Sequence, residues 1–227
     1  MVLLSLKYHI HKYRRNFEMI LPKELTDILN DAKKELLSHP KGEMILPIRK
    51  SIWKLLGFYN IDTNNKAIPT VGLKRRTKLA VICVKKVIHI WNEALPDDKR
   101  PLELIDEAEK YINGNSDFEA IQKQIGRFPT DLENLNCEEK YQNAVSVGFA
   151  SLRAASIALH DERFIILGKD NALDDDYDPF SWDASYFAAL TYSGSGPWDN
   201  SNVAKRQEFW LWYIDKAIPE AYVAFSE

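Results

Sequence analysis

The stretch from Ala144 to Ala158 most constrains how this chain can fold, because nine of its fifteen residues are Ala, Gly or Ser. It sits inside a longer helical pattern running from Tyr141 to Leu159. Small side chains let neighbouring helix axes approach closely, so a helix of this kind belongs at the centre of a bundle. The rest of the chain must then supply the helices that surround it.

It does so almost from end to end. Leu25, Ile28, Leu29, Ala32 and Leu36 recur at helical spacing, with Pro22 suited to the first turn and Pro40 near the end. Ile48, Ile52, Leu55 and Leu56 share a second face that stops at Gly57, a left-handed terminator. The longest pattern, Leu73 to Leu95, aligns Thr77, Ala80, Val81, Val84, Ile88, Trp91 and Leu95, and Pro96 follows it. Pro101 opens a further helix carrying Leu102, Ile105, Ala108 and Ile112 and closed by Gly114. Ser116-Asp117-Phe118-Glu119 fits a capping box for the next. Shorter helical stretches lie around Asp183–Tyr192 and Val203–Lys216. No stretch alternates β-branched and polar residues in the manner of a strand. The expected fold is all-α, an irregular multi-helix bundle in one domain.

Composition narrows the function classes. Hydrophobic residues make up 45% of the 227-residue chain, enough for a folded core. No window approaches the roughly 20 apolar residues that span a bilayer, so no membrane partner is expected. Cys83 and Cys137 have no disulfide or metal-knuckle spacing, which predicts reduced thiols and a cytoplasmic setting. A net charge of −3 argues against a nucleic-acid partner, which calls for a basic surplus. The first residues are apolar and then basic, the reverse of a secretory signal. Arg14-Arg15-Asn16-Phe17-Glu18-Met19 can be reverse-translated into a purine-rich ribosome-binding site followed by a start codon. Residues 1–18 therefore read as an extension ahead of the true start at Met19, and residues 19–227 as the working protein. The extension holds four Lys/Arg and one Glu, so removing its +3 takes the net charge from −3 to −6.

Few residues promise chemistry. His9 and His11 fall in the extension. His160-Asp161, with His89 upstream and Asp215 downstream, has the order of ligands found in helical metal-dependent phosphohydrolases, where a bound metal activates water. His160 also ends a predicted helix, where a cation favours the dipole and capping is the ordinary role. Ser193-Gly194-Ser195-Gly196-Pro197 follows no strand and lacks the lysine of a phosphate loop, so it reads as a turn. No Cys-x-x-Cys, His-Glu-x-x-His or Gly-x-Ser-x-Gly occurs. The reading is of a chain without catalytic residues, metal or cofactor; the alternative is a phosphohydrolase built on His89, His160, Asp161 and Asp215.

Two features stand above this background. Asp170, Asp174, Asp175, Asp176, Asp178 and Asp183 form an acidic stretch lacking the glycine and terminal glutamate of a calcium loop. Asp174, Asp175, Asp176 and Asp178 are expected to repel one another into an open, solvated loop that steers a cationic partner. The second feature is an aromatic tail: Trp182, Trp198, Trp210 and Trp212 account for four of the six tryptophans. Such side chains bury large areas and are expected to pack against the small-residue helix.

Trp182-Asp183, Tyr186-Phe187-Ala188, Ser193-Gly194, Trp198, Lys205-Arg206, Glu208-Phe209-Trp210, Trp212-Tyr213 and Ala217-Ile218-Pro219 together resemble the C-terminal signature of the fifth class of bacterial immunity proteins associated with polymorphic toxins. Ile90-Trp91-Asn92-Glu93, Leu95-Pro96-Asp97-Asp98, Pro101, Ala108-Glu109, Tyr111 and Gly114 are similar to its helix–loop–helix core. The likeness spans about residues 50 to 220. It implies a mostly helical protein, encoded beside a toxin and neutralising it by binding, with no catalytic residues to carry over. An acidic inhibitor suits a basic toxin. Asn60–Val71 and the acidic loop depart from the family's pattern, and recognition of one particular toxin could be encoded there.

Overall fold

The computed structural model describes residues 21–194 and 202–226. The extension before Met19, its His9 and His11, most of the glycine-rich turn after Gly194, and Trp198 lie outside the described residues. The expected all-α class is what forms: among the described residues the only β-type pairing is an isolated antiparallel bridge between Ile61 and Ala67.

The described residues begin with α1 (Lys23–Ser38), α2 (Leu46–Leu55), α3 (Val71–Ala94) and α4 (Arg100–Ile112). It continues with α5 (Phe118–Ile125), α6 (Phe128–Asn136) and α7 (Gln142–His160). A short α8 (Arg163–Ile166) leads through the acidic segment to α9 (Ala184–Ser193). Then come α10 (Val203–Trp212), a π-helical turn (Tyr213–Ala217) and α11 (Ile218–Val223). The wide turn falls just before Pro219, which has no N–H to continue a regular α ladder.

The small-residue helix is central, as its composition demands. α7 packs against α3, α4, α5, α6 and α9. Ala150, Ser151, Ala154, Ala155 and Ala158 are fully buried along it. Gly148 shows why size matters: a Cβ there would lie 2.4 Å from Leu132 Cδ2 and 3.2 Å from the Trp91 ring. Leu132 of α6 and Trp91 of α3 thus meet over a site that admits no side chain. Trp91 is itself held by its indole N–H, which donates to the Asp98 carbonyl at 2.7 Å, and by edge-on packing with Phe128. α3 is the second central helix, with Leu79 through Val84 buried in succession because α7 and α9 as well as α4 and α11 pack on it.

Local chemistry sets the helix starts. Thr70 accepts the Leu73 N–H at 3.0 Å, and Asp183 accepts those of Ser185 and Tyr186 at 2.9 and 3.2 Å. These side chains satisfy donors that a helix N-terminus leaves without partners. The expected cap at Ser116 moves by one residue: Asp117 accepts the Ala120 N–H at 2.8 Å, while Ser116 turns to the Glu107 carboxylate. Gly57 has φ of +137°, positive as expected but away from the left-handed helical well. Its chain passes directly against α3, where a Cβ on Gly72 would meet the Gly57 carbonyl at 2.6 Å and that of Phe58 at 2.3 Å. Leu55 and Leu102, expected to face inward, are 37% and 36% exposed. Cys83 and Cys137 are both free thiols.

Candidate partner-binding surface

The acidic segment is less open than its charge suggests, and Asp174 is the reason. It is buried, and the fully buried Arg49 of α2 reaches both of its carboxylate oxygens. Arg49 Nη2 also donates to Asp183 at 2.7 Å, and Nη1 donates to the Met44 carbonyl at 2.5 Å. The rings of Tyr186, Trp210 and Trp53 surround the guanidinium at 5.1, 5.4 and 5.9 Å. Burial opposes the charge on Arg49, but Asp174 and Asp183 outweigh it and hold the guanidinium protonated more firmly than usual. A buried ion needs this density of partners, since unpaired it would cost several kcal/mol. The Trp182 indole adds a further tie, donating to the Asp174 carbonyl at 2.9 Å.

The expectation of four solvated aspartates is therefore corrected at Asp174, which the Arg49 pair draws into the core. Asp175, Asp176 and Asp178 remain exposed. Asp176 and Asp178 shape the loop, accepting the N–H groups of Leu173 and Phe180 at 2.8 Å each. Upstream, Lys50 donates to the carbonyls of Gly168 and Lys169 at 3.1 and 2.7 Å, and Lys54 pairs with Asp170 at 3.3 Å. The segment thus runs alongside α2, tied to it by Arg49, Lys50 and Lys54.

The phosphohydrolase residues are not brought together. His89 is exposed on α3, and the His160 ring bonds the Asn65 carbonyl through Nδ1 at 2.9 Å. Asp215 pairs on the surface with Lys33 at 2.7 Å. Asp161 is buried against Arg76, which donates through Nε at 2.6 Å and Nη2 at 2.7 Å. Both Asp161 oxygens are engaged by that guanidinium. Among the described residues no group of three or more His, Cys, Asp or Glu side chains is placed to hold a metal ion.

The aromatic tail builds scaffold. Phe209, Trp210 and Tyr213 are fully buried and pack edge-to-face in series, Phe209 with Trp210 and Trp210 with Tyr213, each pair at 5.3 Å. The Trp53 indole donates to the Tyr213 hydroxyl at 3.0 Å, linking the tail to α2. Arg206 of α10 is likewise buried and pairs with Glu43 at 2.5 Å.

Sequence reasoning missed the buried arginines, although they share a readable pattern. Arg49 precedes Ile52 and Trp53, Arg76 precedes Leu79 and Ala80, and Arg206 precedes Phe209 and Trp210. In each case an arginine occupies the same helical face as buried residues three and four positions on. Each guanidinium also meets a carboxylate distant in sequence.

This architecture defines, among the described residues, an all-helical protein in which Trp182, Trp210 and Arg206 of the C-terminal signature are buried framework. A family model described as "Immunity protein Imm5" matches residues 29–220, and the chain belongs to that family. Proteins of this family neutralise a toxin partner. No curated protein matches the chain significantly. None of the described helices is long and apolar enough to cross a membrane.

Proposed function

We propose that the chain acts in the cytoplasm and neutralises a basic toxin by binding it, without catalysis, through the face formed by Asp175, Asp176 and Asp178. The observation that carries this reading is their exposure: among the described residues none of the three has a cationic partner within ion-pair distance. Their neighbour Asp174 keeps the segment seated on Arg49, so the three carboxylates are displayed on an anchored loop. Unneutralised like charges raise the local potential, and a basic partner lowers it on approach.

The test is association kinetics with the toxin encoded by the adjoining gene. Replacing Asp175, Asp176 and Asp178 together with Asn should slow association and flatten its dependence on salt, because steering acts through the screened field. Dissociation should change less. A triple variant that associates like the parent across the salt range would remove these residues from the interface.

A further inference from the structure

Where α7 ends and α8 begins, the described residues enclose a polar cleft of about 110 Å³. Arg153 and Ser156 of α7 form one wall, the turn 161–163 a second, and Asp183, which caps α9, a third. The space is well below the roughly 300 Å³ of a site that encloses a drug-sized molecule. It suits a few waters or one small ion.

The charged groups on its walls divide into engaged and free. Asp161 gives both oxygens to Arg76, and one of them also accepts the Glu162 N–H. Asp183 accepts from Arg49 through Oδ2 and from the Ser185 and Tyr186 N–H groups through Oδ1. Neither aspartate is left to hold a cation. The arginines differ: among the described residues neither Arg153 nor Arg163 has a carboxylate within ion-pair distance. Arg163 is exposed, while Arg153 Nη2 donates to the Phe180 carbonyl and its Nε is buried without an acceptor. Burial lowers the pKa of Arg153 and the neighbouring charge of Arg163 adds to this, against the more distant Glu162, Asp183 and Asp178. Such a guanidinium lacks the acceptors that a buried cation needs.

Glu162 is the remaining wall. It is 5% exposed; Oε1 meets the Phe164 N–H at 3.5 Å, and Oε2 has no protein partner among the described residues. The charged groups facing it are Asp183, Asp161, Arg76 of α3 and Arg153 of α7, with Ser185 and Tyr213 on its other side. Burial, reinforced by the two aspartates, pushes its carboxyl up to about 8. At neutral pH it is therefore an O–H donor and adds no negative charge. The cleft thus presents two guanidinium groups, the Ser156 hydroxyl and one acid proton, and no free carboxylate.

We infer that this cleft is a binding site for a small oxyanion, a sulfate or phosphate group, held by Arg153 and Arg163 with the Ser156 hydroxyl and the Glu162 carboxyl as further donors. Guanidinium forks match the oxygens of such groups, and a free ion and a phosphate ester present the same chemistry. None of Asp175, Asp176 and Asp178 takes part, so the site stands independently of the toxin interface.

Isothermal titration calorimetry of the full-length protein, at ionic strength held constant with chloride, tests the site. Sulfate should bind saturably at one site with a Kd below about 1 mM. Arg163→Ala should raise that Kd about tenfold, the effect of losing a charged hydrogen bond, and should keep the parent's melting temperature. Between pH 7 and pH 9 the parent's Kd should rise about tenfold, because only about a tenth of Glu162 keeps its proton at the upper limit. Glu162→Gln, which retains a donor, should bind at pH 7 within about threefold of the parent and abolish the pH dependence. At pH 8, tighter binding of methyl phosphate than of inorganic phosphate assigns the site to an ester, and the reverse order to a free ion; both support it. Absence of saturable binding by all three ions overturns the site, as does an Arg163→Ala variant that binds sulfate like the parent. A parent whose sulfate affinity is the same at pH 7 and pH 9 overturns the assignment of Glu162 as a donor.

Discussion

Arg76 grips Asp161 with two parallel hydrogen bonds at the point where the chain leaves the central helix in a backbone conformation that side chains rarely adopt. Asp161 has φ of 59° and ψ of −175°, a region populated almost only by glycine. The carboxylate also accepts the Glu162 N–H at 2.7 Å, so the same group secures the strained turn and neutralises the arginine. Arg76 in turn ties down the Trp53, Gly57 and Phe58 carbonyls at the end of α2. Asp161→Asn should destabilise the fold by about 3–5 kcal/mol, because it leaves a buried guanidinium uncompensated. Arg76→Met with Asp161→Gly should cost less than the sum of the two single changes, since it removes both charges and relieves the backbone. Chemical denaturation of the four proteins measures the coupling, and additive losses would show that the pair does not act as a unit.

The acidic segment should divide under mutation. Asp174→Asn removes a carboxylate from Arg49 and should lower stability by roughly 1.5–3 kcal/mol, the range for a hydrogen bond to a charged group. Asp175→Asn, at an exposed position, should stay within about 0.5 kcal/mol of the parent. Thermal melts compare the two directly; equal effects would mean that Arg49 does not depend on Asp174.

How much of this was legible depended on the length scale of the signal. Leu73–Leu95 and Tyr141–Leu159 repeat their apolar pattern over many turns, and both form the helices expected. α6 escaped notice because only Phe128 and Leu132 are buried in it, two anchors in an otherwise polar stretch. The acidic segment was legible as charge but not as structure, for its organiser, Arg49, lies 125 residues upstream. The buried arginines were missed for a related reason: charge alone suggests exposure, and each is internal only because a carboxylate distant in sequence meets it.

Gly148 supplies a packing test that follows from composition. Gly148→Ala should cost about 1–3 kcal/mol, because the new methyl group collides with Leu132 and the structure must shift. Leu132→Ala alone should also destabilise, by about 2–5 kcal/mol, through the cavity it leaves. Combined, the added methyl occupies part of that cavity, and the double variant should be more stable than the sum of the two losses predicts. Strict additivity in denaturant melts would place Leu132 away from Gly148.

The last expectation concerns pH, and it turns on Glu162. This side chain is 5% exposed and borders a cavity of about 110 Å³ together with Arg153, Ser156, Phe164, Ser181 and Asp183. Burial, reinforced by the charges of Asp183 and Asp161 and only partly offset by the Phe164 N–H and Arg76, pushes its carboxyl up to about 8. The unfolded chain releases the same proton near the ordinary value of 4.5. Between those two values the folded protein binds more protons than the unfolded one, so this group makes stability fall as pH rises, and the loss is complete above about 8. Below 4.5 both states are protonated and the group has no effect. Glu162→Gln replaces the protonated acid with a neutral amide of the same shape. It should match the parent near pH 4 and exceed it increasingly toward pH 8, by up to roughly 5 kcal/mol at about 1.4 kcal/mol per pH unit. Denaturant melts of both proteins across that range give the difference curve. If the two run parallel, Glu162 ionises as readily in the folded protein as in the unfolded chain, favoured there by the charges of Arg76 and Arg153.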